Sequence, residues 1–213
     1  MREQVRDKRT EQARMRVIKA ATRLYISLGI RTVTMNDVAH KLKMSKRTIY
    51  ELFSDKEMLL IGCYKYWAEI RNTRMKKLLS KTDDVLEIIL SDLRISIEMM
   101  KRVSPDFMDE IHRYPKLIEF RNHIHTERED AAVEFIKRGI AQGLFVPDVD
   151  CRVFLRTITS MGEFVARNPH LRSTDTLATF HSTFFFYLRG ITTDKGRERI
   201  DSFAKEHFQT DKI

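Results

Sequence analysis

Apolar residues recur at intervals of three and four along most of this chain. Between Arg9 and Leu28 they fall at Ala13, Val17, Ala20, Ala21, Leu24, Tyr25 and Leu28, which is one face of a helix. Gly29 follows at once, the residue that most readily takes the left-handed conformation ending a helix. Residues 1–9 are polar and are expected to form a flexible tail. Thr34 and Asp37 then stand three apart as in a capping box, with Asp in place of Glu, and predict a short helix to about Leu42. Its inward positions are Val38, Ala39 and Leu42. Ser45 is placed to cap a second short helix from Lys46 to about Leu52. Ser54 and Glu57 make an S-x-x-E capping box, which predicts a long helix toward Ser80.

Further helical periodicity covers about 83–102, 105–112, 115–142, 149–167, 173–190 and 195–208. The separators are Ser104-Pro105, Tyr114-Pro115, Gly143 with Pro147, Asn168-Pro169 and Gly190. No strand-length alternation competes with this pattern. Only 4 prolines and 7 glycines interrupt 213 residues, so the expected fold is all-α. The pattern divides the chain into a small helical unit over residues 1–60 and a larger helical part over 61–213. No run approaches the 18 apolar residues of a membrane span, and no apolar leader segment opens the chain. A cytoplasmic protein is the resulting expectation.

Charge changes the picture for the first part only. Residues 1–60 hold 14 Lys and Arg against 7 Asp and Glu, a net +7 of the whole chain's +9. A basic end on a nearly neutral remainder points to an anionic partner for that end. Two short helices joined by a tight turn form a helix-turn-helix, whose second helix enters the major groove of DNA. Ala39 supplies the small residue where the two helices cross, and Ile49 the apolar plug between them. Ser45 opens the second helix with unpaired backbone N–H groups, a setting that suits an anion. Lys46 and Arg47 sit in its first turn, where positive charge is unfavourable for an isolated helix. Arg47 has the fork that matches guanine O6 and N7. Thr48 is placed to bond a phosphate or touch a thymine methyl, and the Tyr50 phenol to reach phosphate from the same face. Thr34 and Lys56, at the starts of the flanking helices, are candidate phosphate clamps, and Arg14 is a weaker one.

These residues resemble the TetR family of transcriptional regulators over about residues 10–60. The resemblance is carried by Ala20, Ala21, Gly29, Thr34, Val38, Ala39, Ser45, Thr48, Ile49, Tyr50, Phe53, Lys56, Glu57 and Leu59. It implies an all-helical homodimer, with an N-terminal DNA-binding domain and a larger domain that binds a small-molecule effector and dimerises. It also implies that the effector changes the spacing of the two recognition helices and so releases the operator. Two positions depart from the family pattern. Lys43 stands in the turn where such motifs often have glycine, and Arg47 stands where many members have glycine. A left-handed Lys43 would cost roughly 1 kcal/mol or more. Arg47 would alter sequence preference without abolishing binding.

The larger part carries no motif of similar specificity. The last long helices are apolar around more than one face, so Phe154, Ile158, Met161, Val165, Phe180, Phe184 and Tyr187 are expected to pair with a second copy as a four-helix bundle. Aromatic and methionine side chains suit an adaptable apolar pocket, and Trp67, Met100, Phe107, Met108, His112, Tyr114, Phe120 and Phe164 are the candidates. The same residue types at helical spacing also build an ordinary core. His123 and Glu127 share a helix face at i,i+4, but His125 points elsewhere, so no metal site is expected. Cys63 and Cys151 stand alone as structural thiols. The motifs of nucleophilic, phosphate-binding, zinc-peptidase and dinucleotide chemistry are all missing, so no catalytic residue or cofactor is assigned. The alternatives to a DNA-binding regulator are a helical protein-binding adaptor and a helical enzyme.

Overall fold

The computed structural model describes residues 2–100, 102–167 and 176–207, and among them the fold is helical. The helices are α1 (Arg2–Leu28), α2 (Met35–Leu42), α3 (Lys46–Leu52), α4 (Lys56–Leu79), α5 (Val85–Met100), α6 (Pro105–Glu110), α7 (Pro115–Ala141), α8 (Cys151–Arg167), α9 (Thr176–Gly190) and α10 (Asp194–His207). A single 3-10 turn, Ile111–Arg113, follows α6. Among the described residues, the one extended contact is an isolated bridge between Phe145 and Thr192. The boundaries fall within a few residues of the periodicity, except at the N-terminus. There α1 begins at Arg2, so residues 2–9 are helical where a flexible tail was expected. No glycine or proline interrupts the chain before Gly29, and nothing there opposes extending the helix.

The chain divides into two compact units. The first comprises Met1–Thr73 and Arg102–His123, the second Arg74–Lys101 and Ile124–Ile213. In the first unit, Val17, Ala21 and Tyr25 of α1 are buried with Val38 and Ala39 of α2, Ile49 of α3, and Leu59 and Leu60 of α4. Leu117 of α7 joins the same core. Leu28, read from its spacing as inward, is exposed. Gly29 ends α1 at φ 84°, and a Cβ on it would lie 3.1 Å from the Asp106 side chain. Both the backbone conformation and the close approach favour glycine there. The Ser104 N–H donates to the Ile26 carbonyl at 2.8 Å, and the Arg31 N–H to Glu110 Oε2 at 2.6 Å. These two bonds fix α6 against the end of α1. Cys63 is buried in this core, which pushes its thiol up to about 12 and keeps it protonated and inert.

The second unit closes around Val85, Leu86, Leu144, Phe145, Phe185, Leu188 and Ile200. Gly139 of α7 is pressed by the Phe145 ring, which would lie 2.4 Å from an added Cβ. Arg74 and Asp92 form a mostly buried ion pair at 3.0 Å, and Arg199 binds Asp84 at 2.7 Å. Cys151, the other free thiol, is buried here. No helix among the described residues is long and apolar enough to cross a membrane.

Candidate nucleic-acid interface

The turn between α2 and α3 is built from identifiable caps. Thr34 Oγ1 accepts the Asp37 N–H at 3.2 Å, and Asp37 Oδ2 accepts both the Thr34 N–H and its hydroxyl at 2.7 Å. The capping box expected from these two residues is thus formed. The Thr34 hydroxyl, and then its N–H, holds the Asp37 carboxyl below the ordinary aspartate range. At the far end of α2, Lys43 is left-handed at φ 53° and ψ 40°. Its N–H donates to the His40 carbonyl at 3.1 Å and the Met44 N–H to Ala39 at 3.0 Å. That is a Schellman motif with lysine in the usual glycine position. Lys43 has the only positive φ among the described residues other than glycine.

Ser45 opens α3. Its Oγ accepts the Thr48 N–H at 3.0 Å and shares a 2.8 Å hydrogen bond with the Thr48 hydroxyl. The helix has two distinct faces. Ile49 is fully buried, with Phe53 just beyond the helix buried beside it and Leu52 half-buried. Lys46, Arg47, Tyr50 and Glu51 are exposed, and Thr48 is half-buried. The Lys46 ammonium lies 5.7 Å from the centre of the Tyr50 ring. Arg47 Nε donates to Glu51 Oε1 at 2.9 Å, with 88% of the Arg47 side chain exposed. Glu51 is the one residue of this face that the sequence reading passed over. Its i,i+4 spacing from Arg47 was the available signal.

Two further cations of the domain, Lys56 and Arg14, have partners within the chain. Lys56 Nζ donates to the Arg31 carbonyl at 3.4 Å and lies 5.9 Å over the Tyr25 ring. Burial pushes its ammonium below the ordinary lysine range, partly offset by Glu110 and Asp37. Arg14 donates to the Leu52 carbonyl at the end of α3 and stacks 4.5 Å over Phe53. It closes α3 from behind instead of standing free on the surface. The long helix α4 is capped by Asp55, whose Oδ1 accepts the Met58 N–H at 2.8 Å. The Ser54–Glu57 capping box is not formed, because Glu57 Oε1 accepts the Lys116 N–H at 2.6 Å instead.

The pocket candidates are distributed between the two units. Phe107, Tyr114 and Phe120 pack against the core of the first unit, where Trp67 and His112 are half-buried. Phe164, in the second unit, is 61% exposed. Of the pairing candidates, Phe154 and Met161 are buried within the chain, and Ile158, Phe184 and Tyr187 are half-buried. Among the described side chains of α8 and α9, the outward large apolar residues are Val153, Phe164 and Phe186. The side chains of Met100, Met108, Val165 and Phe180 lie outside the described residues. Among the described residues no three His, Cys, Asp or Glu side chains come together as a metal site.

Residues 17–63 match the family model of bacterial regulatory proteins, tetR family. No curated protein sequence matches the chain. Solved structures share its fold at low identity. A transcriptional regulator of the TetR family from Cytophaga hutchinsonii superposes with a TM-score of 0.62 at 16% identity, covering 87% of this chain and 98% of its own. A regulator from Saccharomonospora viridis in complex with choline gives 0.59 at 19% identity, covering 92% and 97%. A gamma-butyrolactone receptor gives 0.60 at 18% identity, covering 92% and 97%. With its capped helix pair, its buried Ala39 and Ile49 and the matched segment around them, the chain carries at its N-terminus the helix-turn-helix DNA-binding domain of the tetR family of bacterial regulatory proteins.

Proposed function

We propose that this protein is a ligand-responsive transcriptional repressor of the cytoplasm. It binds a palindromic operator as a homodimer and releases it on binding a small molecule. The observation that carries this reading is the division of α3, with Ile49 buried and Lys46, Arg47 and Tyr50 exposed on the opposite face. A helix braced in this way offers cations and a phenol to an anionic groove. Arg47 contacts guanine, Lys46 and Tyr50 contact phosphate, and the hydroxyl groups of Thr34, Ser45 and Thr48 line the edge of the contact. Lys56, tied to the Arg31 carbonyl, braces the domain and contributes only long-range charge.

A helix of this length reads few base pairs, so a second copy about one helical turn away, roughly 34–36 Å, supplies useful specificity. Residues 1–60 read the DNA, and residues 61–213 dimerise and bind the effector. The choline complex and the gamma-butyrolactone receptor support effector control on this fold.

Selection of bound duplexes from a random pool tests the reading. A palindromic consensus is the expected outcome, with affinity that falls steeply as salt rises. Arg47→Ala should relax base preference, whereas Lys46→Ala should weaken all sequences alike and lower the salt slope by about 1 per protomer. Retention of no duplex, or binding indifferent to salt, would overturn the proposal.

A further inference from the structure

The exposed face of α3 holds a carboxylate as well as cations, and that carboxylate is bonded to the residue proposed to read bases. Arg47 Nε donates to Glu51 Oε1 at 2.9 Å. The arrangement is poorly explained as a device for helix stability. Arg47 lies in the first turn and Glu51 in the last, so each opposes the helix macrodipole. An exposed i,i+4 pair in this order is also the weaker of the two orders. A carboxylate pointing at DNA repels phosphate unless a cation compensates it and a donor faces it.

We propose that Arg47 and Glu51 form one base-reading unit for G·C pairs, an inference that rests on α3 entering the major groove. Glu51 holds the Nε edge of the guanidinium. The two terminal nitrogens of Arg47 are then directed outward as a fixed fork for guanine O6 and N7. The other carboxylate oxygen of Glu51 accepts from a cytosine N4 amino group, the one major-groove donor of a G·C pair. Glu51 is therefore both a positioning residue for Arg47 and a specificity determinant, and it rejects bases that present an acceptor at its position.

The full-length protein and its Glu51→Ala and Glu51→Gln variants are each used to select duplexes from a random pool, with helicity checked by circular dichroism. The wild type should select a half-site with a conserved G·C pair. Glu51→Ala should lose about tenfold in discrimination at that pair while keeping or raising its affinity for random duplex. Glu51→Gln should move one position toward adenine, which glutamine reads at N6 and N7. A wild-type palindrome whose base preferences survive unchanged in both variants would overturn the pair and leave DNA binding intact. A wild type that selects no duplex would overturn both.

Discussion

The Met44 N–H donates to the carbonyl of Ala39 at 3.0 Å, closing the end of α2 over a left-handed Lys43. The bond turns the chain from α2 into α3 within three residues and brings Met44 back onto the core. Lysine is not the residue this geometry prefers, because its Cβ crowds the following carbonyl at positive φ. Lys43→Gly should therefore raise stability by about 1 kcal/mol, and the melting midpoint by about 2–4 °C for a chain of this size. Differential scanning calorimetry of the two proteins measures it. An unchanged or lower midpoint would show that the loss of unfolded-chain entropy at glycine outweighs the relief.

The cap at the other end of α2 depends on pH. Hydrogen bonds from Thr34 hold the Asp37 carboxyl below its ordinary range. Between the unfolded and folded values the unfolded chain binds more protons, so stability rises with pH across that window. The contribution is complete above the ordinary aspartate range near 4 and disappears as pH falls through the lowered native value. Asp37→Asn should lower the midpoint at pH 7, with the gap to wild type narrowing as the buffer is acidified toward pH 3. A gap that stays constant with pH would mean that the carboxylate is not what holds the cap.

Local signals in the sequence identified the helix caps of this domain, and long-range ones were hidden. Gly29, the Thr34–Asp37 pair and Ser45 each act on neighbours within four residues, so spacing alone identified them. The Ser54–Glu57 pair had the same local form, yet Asp55 took the cap. Glu57 had a stronger use at the N–H of Lys116, 59 positions away. The acceptors of Arg14 and Lys56 were hidden for the same reason. A cation whose acceptor lies 38 or 25 residues along the chain looks free in the sequence. Phe154 and Met161 could not be told from partner-facing residues, because the periodicity of α8 marks an apolar face without saying what covers it.

Arg14 links α1 to α3. It donates to the Leu52 carbonyl, an orphan at the end of α3, and stacks on Phe53. Arg14→Ala removes a charged hydrogen bond and a cation–π contact together, a loss of about 2 kcal/mol. The midpoint should fall by several degrees, and affinity for a selected operator should fall with it even though Arg14 is not on the exposed face of α3. Arg14→Lys should recover only part of both, since lysine lacks the planar fork. Full operator affinity in a stable Arg14→Ala protein would show that α3 holds its orientation unaided.

The proposed dimer rests on apolar surface that the single chain leaves open. Phe186 is 73% exposed on α9, and Val153 and Phe164 are 59% and 61% exposed on α8. The last two are eleven residues apart, about three turns, and so share one face. Burying a phenylalanine is worth about 2 kcal/mol, and a two-fold interface contains each residue twice. Phe186→Asp should therefore raise the dimer dissociation constant by roughly a thousandfold. Light scattering at micromolar concentration should report a dimer for the wild type and a monomer for the variant. The variant should keep its helicity, because Phe185, not Phe186, is the ring buried in the core. Its operator binding should collapse to the weak, salt-sensitive level of a single half-site. A wild-type monomer, or a variant that remains a dimer, would place the pairing surface elsewhere.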